Sequence, residues 1–149
     1  TDIIVGFPGE TKKDFEKTKN LIKRIKPDIV NLSKFGPRPL TEAEKMEQLD
    51  HEIIKKRSKQ LYELIRKIFM KKNEKLVGRR EVCFVDEKGR GDSFVARTFW
   101  YKPIVFSSRK NLEGRFVEVE IKEANPSYLK GRFIKVFRIN EIKNFIFNP

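Results

Sequence analysis

The second half of the chain alternates between apolar and polar residues in short runs, and this alternation most constrains the fold. A period of two is typical of β-strands that bury one face. Glycine-containing turns separate the runs, and residues 87–91, which include two glycines, fit a hairpin turn. Five short strands in such a segment favour a small closed antiparallel barrel of the oligonucleotide-binding kind, because closure removes unpaired edges. The predicted strands are residues 80–86, 93–98, 103–106, 116–123 and 129–136.

The first half predicts a β–α–β unit. Residues 2–6 form a continuous apolar run, as in strands that are buried on both faces of a parallel sheet. Thr11 and Asp14 form an approximate capping box for a helix that Pro27 ends, and residues 28–35 predict the second strand. Such units pair their strands in parallel. Two strands and one helix cannot cover both faces of such strands, so residues 1–45 are interpreted as the end of a larger α/β domain. The alternative is a complete small domain that packs on the rest of the chain.

A long basic amphipathic helix is predicted to join the two halves, after a short helix at residues 41–46. Asp50 suits its N-cap, and the pattern extends to about Asn73. Apolar residues form a stripe along it, and the remaining positions are strongly basic. Such a helix can lie on a membrane or bind nucleic acid. We expect instead a linker helix whose stripe packs on a neighbouring domain.

The charge of the chain points to a polyanionic partner. The formal net charge is +13, and residues 1–50 contribute almost none of it, with ten basic and nine acidic side chains. A localised excess favours nucleic acid first and an anionic membrane second. The plain alternative is the Lys- and Glu-rich surface of a thermophile protein, which suits residues 1–50 better than the remainder.

Single reactive residues give little support for catalysis. The chain has one cysteine, Cys83, and one histidine, His51, and they lie far apart in sequence. This excludes an internal disulfide and a multi-cysteine metal site built from this chain alone, and it favours a reducing compartment. No apolar run approaches the roughly 20 residues of a membrane span, and no signal peptide is recognisable. We therefore expect a cytoplasmic protein that has no membrane partner.

The predicted barrel combines cations with aromatic residues, as RNA-binding surfaces do. Cations bind phosphates regardless of sequence, and aromatic faces stack on unpaired bases. Neighbouring residues on a strand face opposite ways, so at least one of Phe99, Trp100 and Tyr101 should be exposed for stacking. Four other phenylalanines are expected in the core: Phe84, Phe94, Phe106 and Phe116. The candidates for phosphate contact are Arg79, Arg80, Lys88, Arg90, Arg97, Lys102, Arg109, Lys110, Lys130 and Arg132.

Three stretches together resemble one enzyme family. Residues 1–11, with Gly-Phe-Pro-Gly-Glu-Thr, resemble the late-barrel strand and turn of the radical S-adenosylmethionine methylthiotransferases. Residues 35–43 are similar to that family's following motif, Arg-Pro-Gly-Thr-x-Ala, with Leu40 in place of its glycine. Residues 72–134 resemble a TRAM domain, the RNA-binding barrel at the C-terminus of these enzymes, although Ala96 stands where many have glycine. The resemblance is to the archaeal and eukaryotic branch that methylthiolates N6-threonylcarbamoyladenosine in tRNA.

The resemblance implies an α+β fold in four segments. It implies a partial β–α–β remnant of a radical SAM (TIM-like) barrel, a long basic linker helix, a five-stranded OB-like antiparallel β-barrel (TRAM) and a C-terminal extension. The corresponding segments are residues 1–48, 49–73, 74–137 and 138–149. The extension is apolar, and it is read as an extra strand, a docked tail or a disordered end.

The resemblance also implies cofactors and partners for the full-length protein. These are S-adenosylmethionine and 4Fe-4S clusters, together with tRNA and the missing N-terminal part of the same protein. The family's Cys-x3-Cys-x2-Cys motif is not in this sequence, so no cofactor and no activity are expected of the fragment alone. In the family the strand that corresponds to Ile4 and Gly6 lies near the adenine of the cofactor, and this gives Ile4, Gly6 and Phe35 as cofactor candidates. Arg38 is a further candidate at the barrel mouth.

Two functions follow from these patterns. The first is tRNA binding by the C-terminal part of a methylthiotransferase. The second is a protein-interaction module, in which the basic helix and the apolar tail bind an acidic partner or another subunit.

Overall fold

The computed structural model describes residues 1–138, Glu141 and Ile142. The chain forms two compact units, Thr1–Phe69 and Met70–Pro149, and the boundary between them falls inside a helix. The finer division into four segments stays a prediction. The elements in chain order are β1 (Asp2–Val5), α1 (Lys12–Ile25), β2 (Asn31–Lys34), α2 (Glu42–Lys45), α3 (His51–Glu74), β3 (Arg80–Lys88), β4 (Ser93–Thr98), β5 (Pro103–Ser107), β6 (Phe116–Ala124) and β7 (Leu129–Val136).

The first unit contains the predicted β–α–β arrangement. Strands β1 and β2 pair in parallel, from Asp2 opposite Asn31 to Val5 opposite Lys34. Helix α1 begins with the capping box that the sequence indicates. The Thr11 hydroxyl accepts from the backbone N–H of Asp14 at 3.2 Å, and the Asp14 carboxylate accepts from the N–H of Thr11 at 3.3 Å.

Helix α3 packs its apolar stripe on this β–α–β unit. The shared core is formed by buried residues of β1, α1 and α3, namely Val5, Phe15, Ile22, Leu61 and Ile65. Asp50 caps the helix as predicted, because its Oδ1 accepts from the N–H of Glu52 at 2.6 Å. The predicted packing of the stripe is therefore confirmed, within one compact unit. No helix in the described residues is both long enough and apolar enough to cross a membrane.

A close approach at the turn after β1 explains Gly6. Its φ is +85°, and a Cβ placed there would lie 2.6 Å from Cγ1 of Ile54 on α3. The same turn is anchored by Glu10, whose Oε2 accepts from the Gly6 N–H and from Nη1 of Arg57, both at 2.8 Å. Only glycine allows this conformation and this approach of the helix.

The second unit is a closed five-stranded barrel in the order β3-β4-β5-β7-β6. Four of the five pairings are antiparallel, and β5 pairs with β7 in parallel through Ile104 and Leu129. The five predicted strands and the barrel are confirmed. The expectation that every pairing is antiparallel is wrong at one place, for a geometric reason. A ring with an odd number of strands cannot alternate direction all the way round, so one neighbouring pair must run the same way.

Alternate residues of each strand fill the interior of the barrel. The buried cluster includes Cys83, Phe94 and Phe106, and the rings of Phe94 and Phe106 stack with centroids 6.0 Å apart. Two of the four expected core phenylalanines do not lie in this cluster. Phe84 is 39% exposed, and Phe116 is half-buried. Because Cys83 and Val85 both point inward, Phe84 between them has to point outward.

The end of α3 is joined to the barrel within the second unit. Asn73 is fully buried, and its Nδ2 donates to the carbonyl oxygens of Asn125 at 2.5 Å and Pro126 at 3.3 Å. Its Oδ1 accepts from Nζ of Lys102 at 2.7 Å. Asn73 therefore links three segments of the barrel unit through one side chain.

Candidate nucleic-acid interface

An aromatic pocket of about 420 Å³ lies on the outer face of the barrel. Phe84 on β3 stands opposite Arg97 on β4 and opposite Phe116 on β6, so three strands contribute one row of outward side chains. The rings of Phe84 and Phe116 lie 5.1 Å apart and form an apolar wall. The residues that line this aromatic pocket are Val82, Phe84, Asp86, Arg97, Thr98, Phe99, Tyr101 and Phe116.

The turn between β4 and β5 supplies two of the lining residues. The N–H of Tyr101 donates to the carbonyl of Thr98 at 2.9 Å, and the N–H of Lys102 donates to the Thr98 hydroxyl at 3.0 Å. Phe99, Trp100 and Tyr101 are 55%, 52% and 66% exposed. The sequence required at least one of them to be outside, and all three are, because they lie in the turn and not on a strand.

Tyr101 adopts a backbone conformation that favours glycine. Its φ is +67°, in the left-handed region. For a bulky L-residue this conformation costs about 1–2 kcal/mol, and glycine is the usual choice at such a turn. Strain of this kind is found most often where a side chain is needed for function. The turn thus holds an exposed aromatic ring beside the pocket in spite of the strain.

An ion pair forms the polar side of the aromatic pocket. Nε of Arg97 donates to Oδ2 of Asp86 at 2.9 Å, and both side chains are 32% exposed. The guanidinium of Arg97 also lies over the ring of Tyr101, 5.0 Å from its centroid. Asp86 sits at a β-bulge, where the register of β3 against β4 shifts between Val85 and Glu87. A bulge turns a side chain away from the regular strand direction, and here it places a carboxylate at the pocket.

Four of the ten basic candidates gather at the opposite end of the barrel. Two of them flank or occupy the β3–β4 turn, and two follow β5. The N–H of Ser108 donates to the carbonyl of Asp92 at 2.9 Å, and this bond holds the two loops together. None of the four forms an ion pair within the residues that the structure describes. We call this group the cationic loop end, and its members are Lys88, Arg90, Arg109 and Lys110.

The remaining basic candidates are distributed differently. Arg79 and Arg80 are exposed at the start of β3, away from the cationic loop end. Lys102 is tied to Asn73. Nζ of Lys130 lies 2.8 Å from Glu123, and this hydrogen bond raises the pKa of Lys130.

Arg132 is balanced by a carboxylate in the same way. Its Nη2 lies 2.7 Å from Oε2 of Glu120, whose Oε1 also accepts from Lys122 at 2.6 Å. The hydrogen bond from Lys122 lowers the pKa of Glu120 most, and the hydrogen bond from Arg132 lowers it further. The ten basic candidates are therefore not one surface, and their individual contacts with RNA stay predictions.

Two of the three cofactor candidates of the first unit line one groove, and the third does not. Ile4 and Phe35 line a groove of about 560 Å³ together with Arg38. Ile4 is 60% exposed there. Gly6 is not among the lining residues, since its free side is covered by Ile54. The role of the groove in cofactor binding stays a prediction.

The residues of this chain do not fit the 4Fe-4S clusters that the family resemblance implies. Cys83 is buried in the barrel interior, and burial raises its pKa to about 12, which keeps the thiol protonated. A cluster is ligated by several thiolates. Among the described residues, no three His, Cys, Asp or Glu side chains come together as a metal site.

The sequence did not point to five of the eight residues of the aromatic pocket. These are Val82, Asp86, Thr98 and the two phenylalanines assigned to the core, Phe84 and Phe116. The alternation around Cys83 and Val85 is a signal that could have placed Phe84 outside. The bulge that brings in Asp86 leaves no comparable signal in the sequence.

Comparison with known proteins identifies the barrel and its relatives. The TRAM domain, an RNA-binding domain, matches residues 74–134. The chain is 39% identical over 134 residues to a "Probable threonylcarbamoyladenosine tRNA methylthiotransferase" of Pyrococcus horikoshii, a match that covers 90% of this chain and 31% of the relative. It is 35% identical over 132 residues to the "Threonylcarbamoyladenosine tRNA methylthiotransferase" of Danio rerio, a match that covers 89% of this chain and 24% of the relative.

A third relative carries a different name. The chain is 41% identical over 137 residues to the "tRNA-2-methylthio-N(6)-dimethylallyladenosine synthase" of Moorella thermoacetica, with 90% of this chain and 31% of the relative covered. The chain thus spans less than a third of the length of these curated relatives. The expected family resemblance is confirmed along nine-tenths of the chain.

Proposed function

This chain carries a TRAM domain and is a relative of the tRNA methylthiotransferases, and on that premise we propose that it is the tRNA-binding part of such an enzyme. The observation that supports this proposal most directly is the outer surface of the barrel. It offers exposed aromatic rings at the aromatic pocket and exposed cations at the cationic loop end. These are the two kinds of group that hold RNA, since cations contact phosphates and rings stack on bases.

In this proposal the exposed cations contact phosphates and the aromatic pocket contacts a base. The cationic loop end and Arg80 together provide five exposed cations without an ion pair in the described part of the chain. If all five contact phosphates, counterion release makes affinity fall about 130- to 500-fold between 50 and 200 mM salt. The aromatic pocket adds a contact that depends on an unpaired base and is less sensitive to salt.

The finer assignment follows the relatives. Two of the three relatives described above are named for threonylcarbamoyladenosine, so we take that nucleoside in tRNA as the substrate of the whole enzyme. S-adenosylmethionine and the 4Fe-4S clusters would be held mainly by protein outside this chain. Within it, the groove at Ile4, Phe35 and Arg38 suits the adenine and carboxylate of S-adenosylmethionine, because it combines apolar side chains with a cation. The fragment alone is then not catalytic, and the tRNA substrate places the enzyme in the cytoplasm.

The experiment is a titration of fluorescently labelled tRNA with the 149-residue chain, followed by anisotropy at several salt concentrations. We expect binding that weakens with salt as calculated above. Replacing Arg97 and Trp100 by Ala should weaken it more than replacing Lys12 and Lys13, which are exposed on α1 in the first unit. Absence of binding at 50 mM salt, or equal losses in the two variants, would overturn the proposal.

The interaction-module alternative has less support. Leu61 and Ile65 of the apolar stripe of the basic helix are buried in the core of the first unit, so the helix offers a partner its basic face and not its stripe. Residues 143–149 of the apolar tail lie outside the described residues.

A further inference from the structure

The aromatic pocket has the shape of a site for one planar ring. Phe84 and Phe116 present an apolar wall, and Tyr101 and Phe99 from the β4–β5 turn line the same cavity. Aromatic side chains bind best to flat ligands that expose a π-face. On an RNA-binding domain, such a ligand is an unpaired base.

The polar side of the pocket has unused hydrogen-bonding capacity. Only Oδ2 of Asp86 and Nε of Arg97 are engaged with each other. The second carboxylate oxygen, Oδ1, and both Nη groups of Arg97 make no hydrogen bond within the described residues. An acceptor therefore stands beside several donors, and both side chains are one-third exposed to an incoming ligand.

This arrangement matches one base better than the others. Guanine carries donors at N1 and N2 and acceptors at O6 and N7. Its N1–H and N2–H groups can donate to Oδ1 of Asp86, and O6 or N7 can accept from Arg97. Adenine would turn its N1 lone pair towards the carboxylate, and the pyrimidines offer a smaller stacking surface. A hydrogen bond to an ionised partner is stronger than a neutral one, so the carboxylate should discriminate clearly.

A purely structural role explains the pair less well. A partly exposed ion pair of this kind contributes only about 0–1 kcal/mol to stability. The β-bulge instead aims Asp86 at the cavity, and Tyr101 keeps a strained conformation next to it. Two independent irregularities of the backbone thus converge on one pocket.

We propose that the aromatic pocket binds a single unpaired guanine of the RNA, stacked against its rings, with Asp86 and Arg97 reading the base edge. This inference rests on the proposed RNA-binding function and adds base specificity to it.

The test uses the 149-residue chain and labelled single-stranded RNA hexamers. Each hexamer has uracil at every position except one central guanine, adenine or cytosine, and an all-uracil hexamer is the reference. We expect the guanine hexamer to bind about 10-fold more tightly than the adenine hexamer, since one good base contact discriminates by about that factor. Asp86→Asn should reduce this preference to less than 2-fold, while affinity for the all-uracil hexamer does not fall. Glu87→Gln is the matched control, because it removes the same charge from the neighbouring exposed residue outside the pocket.

A second variant separates binding from folding. Tyr101→Gly relieves the left-handed strain and removes the ring, so we expect an unchanged or higher Tm and a loss of guanine preference. An equal affinity for all hexamers in the wild-type chain, or an equal effect of Asp86→Asn and Glu87→Gln, would overturn the base site while leaving RNA binding intact. Failure to bind any hexamer or tRNA would overturn the proposed function itself.

Discussion

The aromatic pocket and the cationic loop end lie on the same barrel but are constructed in opposite ways. Every polar or aromatic group at the pocket is held by a neighbour: Arg97 by Asp86, Tyr101 by the β4–β5 turn, and that turn by Lys102 and Asn73. At the cationic loop end, the side chains lie at the end of β3 or in loops, without ion pairs in the described part of the chain. Preorganised groups recognise shape and donor pattern, whereas loose charges supply affinity that depends on salt. The difference suggests that one region selects the base and the other holds the backbone.

Removing the cationic loop end should produce the largest effect. In a variant with Lys88, Arg90, Arg109 and Lys110 replaced by Ala, we expect tRNA affinity at 50 mM salt to fall about 100-fold. The slope of log affinity against log salt should become shallower by about 3, because each lost phosphate contact removes roughly 0.7–0.9 of slope. Guanine preference should be unchanged. Anisotropy titrations at four salt concentrations measure both quantities.

The control for this variant has the same change in charge in the first unit. Its substitutions to Ala are on helix α1, at Lys12, Lys13, Lys23 and Arg24, which are all exposed. If the control loses as much affinity as the loop-end variant, the position of the charges is irrelevant and only net charge matters.

Loosening the support of the pocket should have the next largest effect. Asn73→Ala removes a buried side chain that joins Lys102 to the carbonyls of Asn125 and Pro126. Loss of a buried hydrogen-bonding partner costs about 2 kcal/mol of unfolding free energy. Guanine preference should fall too, because Lys102 adjoins Tyr101 in the turn. Urea unfolding followed by the fluorescence of Trp100, the single tryptophan, measures the change in stability.

The same substitution at the other end of the barrel sharpens the comparison. Asn111 is exposed, and its Oδ1 accepts only a long 3.4 Å hydrogen bond from the N–H of Glu113. We expect Asn111→Ala to change the unfolding free energy by less than about 0.5 kcal/mol. A comparable loss in the two variants would mean that the two ends are equally rigid.

These contrasts show which parts of the structure could be read from the sequence. Strands β4 and β7 have the bounds that the sequence predicts. For β4 the reason is local, because its alternation is regular and it lies between Gly91 and Pro103. The capping box of α1 is equally local, since Thr11 and Asp14 are three residues apart. Such features depend on residues that are close together in the sequence, so the sequence alone can predict them.

Features that depend on distant contacts were not accessible in this way. The basic candidates of the barrel looked like one group, and their division follows from which loops meet, as Ser108 and Asp92 do. Lys130 forms an ion pair with Glu123 of the adjacent strand. A one-residue change of register between the two strands would break this pair. Most of the pocket was not predicted for the same reason, since a bulge and a cross-strand row are properties of strand pairing.

The smallest expected effect tests whether an acidic neighbour removes a cation from the RNA surface. Arg132 and Arg90 are both exposed arginines of the barrel, but Arg132 pairs with Glu120 at 2.7 Å and Arg90 forms no ion pair in the described residues. Because hydrogen bonds from Lys122 and Arg132 lower the pKa of Glu120, its carboxylate stays ionised at neutral pH and keeps balancing them. We therefore expect Arg132→Ala to weaken tRNA binding less than 2-fold at 50 mM salt, and Arg90→Ala to weaken it about 3- to 5-fold. Glu120→Gln should act in the opposite direction and tighten binding about 2-fold, because it releases two cations at once. Equal losses for Arg132→Ala and Arg90→Ala, with no gain from Glu120→Gln, would show that ion pairing does not decide which charges meet the RNA.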